Sequence, residues 1–331
     1  MNPPKVFIST YPFGKYDPTP IRILEEKGFE ILKNPYTRKL KPEEVAELAE
    51  DVDAIIAGTE NLTELIERNK KLQLISRVGI GLDSVPLQLC KDKGIVVAYT
   101  PDAVTMAVAE LTIGLMIDVS RKVQMADREM RKGGWSRFVG KRLGESVIGI
   151  IGAGRVGLNV IRLLSEFYPK EILIQDLKDK SKEVAAILDP KRIKYSFISK
   201  EEIYRRSDLV SLHVPLTKHT RKMITKKELE LFSTDAYLLN TARGELIEEA
   251  DLIQALSTRK LAGAAIDVFS KEPYSGELTQ LENVVLTEHM GSCSYDCRLA
   301  MEREASEEVI RFYSGEALRN EVPAEEYEYQ E

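Results

Sequence analysis

The chain has 331 residues, about twice a typical single-domain length of roughly 150, so two domains of ordinary size are expected. Hydrophobic residues make up 43% and charged residues 30% of it, a globular profile that excludes collagen-like, disordered and membrane-embedded classes. Forty-seven Lys and Arg against 53 Asp and Glu leave a net charge of -6, with no general basic surface for nucleic acid or anionic lipid. Only three histidines (His213, His219, His289) and three cysteines (Cys90, Cys293, Cys297) are present, so any histidine chemistry must choose among three candidates. An odd, sparse set of thiols suits a reducing compartment and a cytoplasmic protein. Cys293 and Cys297 can share a helix face, but no His stands at ligand spacing, and no metal site is expected.

From Met1 the chain passes Pro3 and Pro4 into an apolar strand pattern that lacks the long core of a signal peptide. No stretch reaches the roughly 18 apolar residues of a membrane span. Strand patterns at 6–9, 29–32, 54–57, 72–76 and 95–98 alternate with helix-favouring segments such as 42–50, which carries Pro at a first-turn position, and 62–69. This is the pattern of a five-stranded doubly wound unit. After Thr100-Pro101-Asp102, apolar residues at Val104, Ala107, Val108, Leu111, Leu115 and Val119 form a helical stripe, widened by Ile113, Met116 and Ile117. Such a helix is expected to be buried between domains or subunits. A glycine-rich basic loop at 131–137 precedes a second series of strands at 147–151, 171–175, 194–197, 209–213, 236–240, 262–267 and 284–286. The second domain is again α/β. A charged helix is expected over 295–313 and a frayed end over 325–331.

Gly152-Ala-Gly154-Arg-Val-Gly157 follows the strand at 147–151 and opens a helix running through Val160, Ile161 and Leu164. In such a loop the first glycine permits the tight turn, the second lets the backbone approach a pyrophosphate, and the third lets helix and strand pack closely. The helix N-terminus adds free N–H groups and positive dipole for the anion. Nineteen residues past Gly157, at the end of the next strand, Asp176 stands where an acid would bind the adenosine ribose hydroxyls. Its carboxylate would repel a 2'-phosphate, which favours NAD, whereas Lys178 keeps NADP as the alternative.

Three downstream segments place a polar residue near a strand end, where ligands of open α/β sheets collect: Arg243 in Asn240-Thr-Ala-Arg-Gly244, Glu272 after Asp267-Val-Phe-Ser-Lys, and His289 in Thr287-Glu-His-Met-Gly291. An Arg, a Glu and a His suffice to reduce a carbonyl beside a carboxylate. The guanidinium can hold the carboxylate and polarise the carbonyl, and a protonated His can give its proton to the carbonyl oxygen as hydride arrives at carbon. Glu272 beside His289 would favour the charged imidazolium and raise its pKa above roughly 6.5. Taken singly, each residue has an ordinary structural alternative: a surface ion pair for Arg243, a loop position for Glu272, a satisfied core histidine for His289.

These motifs, with Arg77-Val-Gly79-Ile-Gly81-Leu-Asp83, Val108-Ala-Glu110 and His213-Val-Pro-Leu-Thr217, run over nearly the whole chain, which resembles the D-isomer-specific 2-hydroxyacid dehydrogenase family. The resemblance implies two doubly wound parallel-sheet domains, a Rossmann cofactor domain at 102–292 inserted into a flavodoxin-like substrate domain of 1–101 and 293–331, with the active cleft between them. It implies that Arg243, Glu272 and His289 are the catalytic trio, and that Asp267 hydrogen-bonds the nicotinamide amide. Substrate carboxylate would sit on the amides around Val78 and Gly79, with Arg77 beside them for a second anionic group. The cofactor would be lined by Thr105, Gly152, Gly154, Arg155, Val156, Gly157, Asp176, His213, Val214, Pro215, Thr220, Thr241, Ala242, Asp267 and Gly291. His213 would then do no proton chemistry, and His219, among basic residues, would be a solvated loop position. Homodimers would form through the cofactor domains, and Trp135 matches a position that in some relatives reaches the partner's active site; interface packing is its plainer role.

The family spans several substrates. Glu272 disfavours a formate dehydrogenase, which carries Gln there, and Ile80 disfavours a phosphite dehydrogenase, which carries Lys. Arg77 resembles the phosphoglycerate dehydrogenase version of its motif, so an acidic or phosphorylated substrate such as 3-phosphoglycerate is the first expectation, and hydroxypyruvate or glyoxylate the alternative. Against the first, Gly58-Thr59-Glu60-Asn61 lacks the Arg that phosphoglycerate enzymes often carry in that loop. The regulatory amino-acid-binding domain of longer relatives is absent from the sequence, so serine feedback is not expected. Glu288 stands where the family usually has Pro, and a solvent-facing side chain is the expectation. An alternative of another class is an NAD(H)-sensing protein like the corepressors that share the fold and retain the trio.

Overall fold

The structure, a computed structural model, describes residues 3–330; Met1, Asn2 and Glu331, where the expected N-terminal run and frayed tail begin and end, lie outside the described residues. The chain divides into two compact units, one made of the residues up to Val104 together with those from Ser292 onward, the other of Thr105–Gly291.

The first unit begins with strands β1 (Lys5–Ile8), β2 (Glu30–Lys33), β3 (Ala54–Ala57), β4 (Leu74–Arg77) and β5 (Val96–Ala98), and helices α1 (Thr19–Glu26), α2 (Pro42–Leu48), α3 (Thr63–Arg68) and α4 (Leu87–Asp92). Its sheet is parallel, in the order β2-β1-β3-β4-β5, a flavodoxin-like arrangement. β3 and β4 are buried along their whole length, because crossover helices cover both faces; β3 is the uninterrupted apolar run such strands favour, while β4 ends in the buried polar residues Ser76 and Arg77. β2 is the edge strand, and its Glu30 and Lys33 keep it exposed.

The second unit holds α5 (Thr105–Arg121), α6 (Val123–Arg131), β6 (Val147–Ile151), α7 (Arg155–Ser165), β7 (Glu171–Gln175), α8 (Ser181–Leu188), β8 (Tyr195–Phe197), α9 (Lys200–Arg206), β9 (Leu209–Leu212), α10 (Lys226–Leu229), β10 (Tyr237–Asn240), α11 (Glu249–Ser257), β11 (Gly263–Ile266) and β12 (Val284–Leu286). All seven strands run parallel in the order β12-β11-β10-β9-β6-β7-β8, so their carboxyl ends share one edge. The order reverses between β6 and β9, the switch point where dinucleotides bind.

Every strand the pattern predicts is present, with ends moved by one or two residues where the ladder stops; the expected 209–213 strand ends at Leu212. Part of the apolar stripe of α5 packs within its own unit, where Ala109, Ile113, Leu115, Met116 and Val119 join Val160, Ile161 and Leu164 of α7, while Ala107, Val108, Leu111 and Ile117 are half-buried. A separate α6 was not legible. Lys122 in the left-handed region (φ 56°) breaks α5 from it, and none of its residues is buried.

The first unit is completed by α12 (Tyr295–Tyr313), which packs on α1 and β4, and by α13 (Ala324–Tyr329). Here the expected frayed end is corrected. Val322 donates its N–H to Val97 O and joins the core, Tyr327 packs against the same core, and Gln330 bonds Leu87 N and Leu82 O through its side chain. Two apolar anchors and three hydrogen bonds tie down a stretch whose acidic composition reads as solvated.

Candidate active site

The phosphate loop follows β6. Gly152 takes φ +94°, and a Cβ there would lie 2.6 Å from His213 O; a Cβ on Gly157 would lie 2.0 Å from Gly152 O, so neither position admits a side chain. Gly154 caps α7, and a Cβ on it would meet nothing within 4 Å. The loop is therefore tight on its protein side and open over the helix N-terminus, which is the shape a pyrophosphate needs. Arg155 and Val156 open α7, and Arg155 is exposed. Asp176, just past β7, accepts from Ala153 N at 2.6 Å and Lys178 N at 2.8 Å, which ties the acid to the glycine loop.

His213 follows β9. Its Nε2 lies 2.9 Å from Ser211 Oγ, its Cβ abuts Gly157, and burial pushes its pKa down to about 4. Val214 packs into the core, and Pro215 O accepts from Thr220 Oγ1 at 2.6 Å, folding the loop back on itself. His219 is exposed, in the place expected for a solvated residue. Thr105 opens α5, and Thr241 Oγ1 lies 3.0 Å from Thr112 Oγ1 of that helix.

The carboxyl ends of β10, β11 and β12 lie side by side and carry the predicted trio. After β10, Ala242 N donates to Asn240 Oδ1 and Asn240 Nδ2 donates to Arg243 O, so the Asn side chain shapes the turn that presents Arg243; the guanidinium Nη1 is fixed on Ala242 O at 2.6 Å. After β12, His289 Nδ1 lies 2.9 Å from Glu272 Oε2 and 3.0 Å from Oε1, while Phe269 N donates to Glu272 Oε1. His289 is held in the left-handed region at φ 52°. Backbone strain of this kind needs an external hold, and Asp267 supplies it. Its backbone carbonyl accepts from His289 N at 2.7 Å, its Oδ1 accepts from Thr287 Oγ1 and Met290 N, and its Oδ2 accepts from Gly291 N. Asp267 is 1% exposed, and three of its carboxylate contacts go to the histidine loop. A carboxylate has about four lone-pair sites, so the hydrogen bond to a nicotinamide amide expected of it is compatible with this hold. Glu288, next to the histidine, is exposed.

In the first unit the expected substrate amides are corrected. Val78 N donates to Ala57 O at 2.8 Å and Gly79 N to Thr100 Oγ1 at 2.7 Å, so neither is available to a carboxylate. The amides of Ile80 and Gly81, two residues on, make no hydrogen bond among the described residues. Arg77 is corrected as well: it is 7% exposed, its Nη1 donates to Val78 O, and its guanidinium fills the space a Cβ on Gly79 would need. It braces the loop from beneath. The GxGxD spacing after β4 was the available signal, but which of its amides stay unspent depends on loop conformation.

A dinucleotide fold with an Arg–Glu–His set on its carboxyl edge defines a pyridine-nucleotide oxidoreductase class. Residues 113–291 match the NAD binding domain of D-isomer specific 2-hydroxyacid dehydrogenases. Over 336 residues the chain is 33% identical to the glyoxylate reductase of Thermococcus litoralis, covering 96% of each sequence. It is 34% identical over 307 residues to the D-3-phosphoglycerate dehydrogenase of Methanocaldococcus jannaschii, covering 91% of this chain and 57% of that protein, so it spans little more than half of that relative's length. A Thermus thermophilus crystal structure superposes with a TM-score of 0.84 at 30% identity, covering 96% of this chain and 100% of that one. The chain belongs to the D-isomer-specific 2-hydroxyacid dehydrogenase family, whose members are NAD-dependent oxidoreductases.

Proposed function

We propose that the chain interconverts a D-2-hydroxy acid and its 2-keto acid with NAD(H), residues 102–292 forming the cofactor domain and residues 1–101 with 293–331 the substrate domain. The observation that carries this reading is the Glu272–His289 contact at 2.9 Å on a carboxyl edge shared with Arg243. Glu272 takes Nδ1, which leaves Nε2 as the ring atom that gives a proton to the carbonyl oxygen in reduction and removes it in oxidation. Arg243 polarises the carbonyl and pairs with the carboxylate beside it. When bound, NADH supplies the hydride to the carbonyl carbon. The amides of Ile80 and Gly81 receive the substrate carboxylate in place of those of Val78 and Gly79.

NAD is favoured over NADP because Asp176 is fixed by two backbone amides where a 2'-phosphate would have to sit. Self-association to a homodimer is supported by apolar side chains on and after α6, where Val123, Met130, Trp135 and Val139 are 52%, 59%, 74% and 86% exposed. Three cysteines outside any disulfide among the described residues suit the cytoplasm. The sequence reading favours a phosphorylated acid; a buried carboxyl side chain in the loop after β3, Glu60, favours the alternative, hydroxypyruvate or glyoxylate.

The test is NADH and NADPH oxidation with hydroxypyruvate, phosphohydroxypyruvate, glyoxylate, pyruvate and 2-ketoglutarate. Reduction of at least one acid with preference for NADH is expected. NADH binding with no reduction of any of them would replace this reading with an NAD(H)-sensing protein.

A further inference from the structure

We infer that Glu60 selects the substituent on the third carbon of the substrate, favouring a hydroxyl and rejecting a phosphate or second carboxylate. The inference rests on the keto-acid reading above. In the sheet order β2-β1-β3-β4-β5 the winding reverses between β1 and β3, and the crevice outside the carboxyl ends of such a pair is where open α/β sheets take their ligands. Thr10 stands past β1, and Gly58 and Glu60 stand past β3. The two loops approach so closely that a Cβ on Gly58 would lie 2.6 Å from Thr10 Oγ1 and 3.1 Å from Glu60 Oε2. Glu60 is 2% exposed, and its Oε2 accepts from Gly58 N at 2.7 Å.

The loop that carries Glu60 runs beside the one that carries the unspent amides. Val78 N donates to Ala57 O at its start, and Leu62 N donates to Ser84 O at 3.2 Å at its end. Glu60 therefore lies on the strand-end loop alongside Ile80 and Gly81. Two amides suit the substrate's own carboxylate; a carboxylate on the adjoining loop, Glu60, is a hydrogen-bond acceptor for a hydroxyl and, when ionised, repels a second anion. Arg77 is folded beneath Gly79, with its Nη1 on Val78 O. A buried acid with one bond to a neighbouring amide is costly to keep for a loop turn alone, and the same acid in a ligand crevice has a use.

The experiment compares kcat/KM for hydroxypyruvate, phosphohydroxypyruvate and glyoxylate in the wild type and in Glu60→Gln, whose amide oxygen can still accept from Gly58 N. The wild type is expected to prefer hydroxypyruvate over its phosphorylated form by about a hundredfold. In Glu60→Gln that preference should shrink by about tenfold, and hydroxypyruvate should lose ground to glyoxylate, which has no third carbon. Ratios that move less than twofold would overturn the role of Glu60 while leaving the functional reading intact. If the variant does not fold, inhibition of the wild type decides: D-glycerate should bind at least about tenfold more tightly than 3-phospho-D-glycerate, and equal or reversed affinities would overturn the inference. A wild type that reduces no keto acid would remove the functional reading itself, and the role of Glu60 with it.

Discussion

At the carboxyl edge of the seven-stranded sheet the polar groups are side chains clamped by their neighbours. Arg243 is fixed on a carbonyl, Glu272 on His289, and Asp267 accepts from Thr287, Met290 and Gly291 to hold the histidine loop. At the carboxyl edge of the five-stranded sheet the amides of the half-buried Ile80 and Gly81 are unspent among the described residues, and the neighbouring strand ends carry two buried titratable side chains, Glu60 and Arg77. An over-determined edge suits proton and hydride chemistry, where a displaced group costs rate. An edge with spare hydrogen bonds suits recognition, where what is left unspent decides what binds. Changes at the first should therefore cost turnover, and changes at the second should alter which acid is accepted.

The sharpest way to break this contrast is to remove the groups proposed to react. His289→Ala and Arg243→Ala should each lower kcat by about a thousandfold while NADH affinity, read by fluorescence titration, stays close to that of the wild type. Asp267→Ala should lower stability by about 2 kcal/mol, because buried N–H groups lose their acceptor, and should depress kcat more than KM. On the recognition edge, Arg77→Ala should raise KM for all keto acids alike through a loosened loop; a selective effect on phosphohydroxypyruvate would restore Arg77 as an anion receptor.

The pH dependence separates the histidines. Burial holds His213 at about 4, below the 6.5 of an unfolded histidine, so between those values the unfolded chain binds the extra proton and stability falls as pH falls. The loss begins below about pH 6.5 and totals about 3 kcal/mol near pH 4; His213→Asn should flatten the slope in chemical denaturation. The smallest effect concerns the thiols. Burial pushes Cys90 to about 12 and Cys297 to about 11, while Cys293 is exposed, so one thiol per native chain should react with a water-soluble disulfide reagent and three after unfolding.

Strand order and the trio were legible because their signals are local: apolar runs bounded by turns, glycines that only a close backbone approach requires, and an acid at the end of the following strand. Val147–Ile151, Glu171–Gln175 and Tyr295–Tyr313 lie where their patterns place them. The substrate loop was less legible. Whether an amide at 78 to 81 is spent depends on Thr100, twenty-one residues away, and on the end of β3, and no local pattern encodes those partners. The grip of Asp267 on Thr287 and Gly291, across 20 and 24 residues, was not legible for the same reason. The tail failed for the same reason: Glu325 and Glu326 look solvated, while the anchors are Val322, Tyr327 and Gln330.

The central claim, that hydride reaches the carbonyl carbon of a short 2-keto acid as His289 gives up a proton, is tested most directly by following the label. Hydroxypyruvate reduced with NADH carrying deuterium at the transferred position should yield D-glycerate with deuterium at C2. Formation of L-glycerate, or of D-glycerate without the label, would contradict the account.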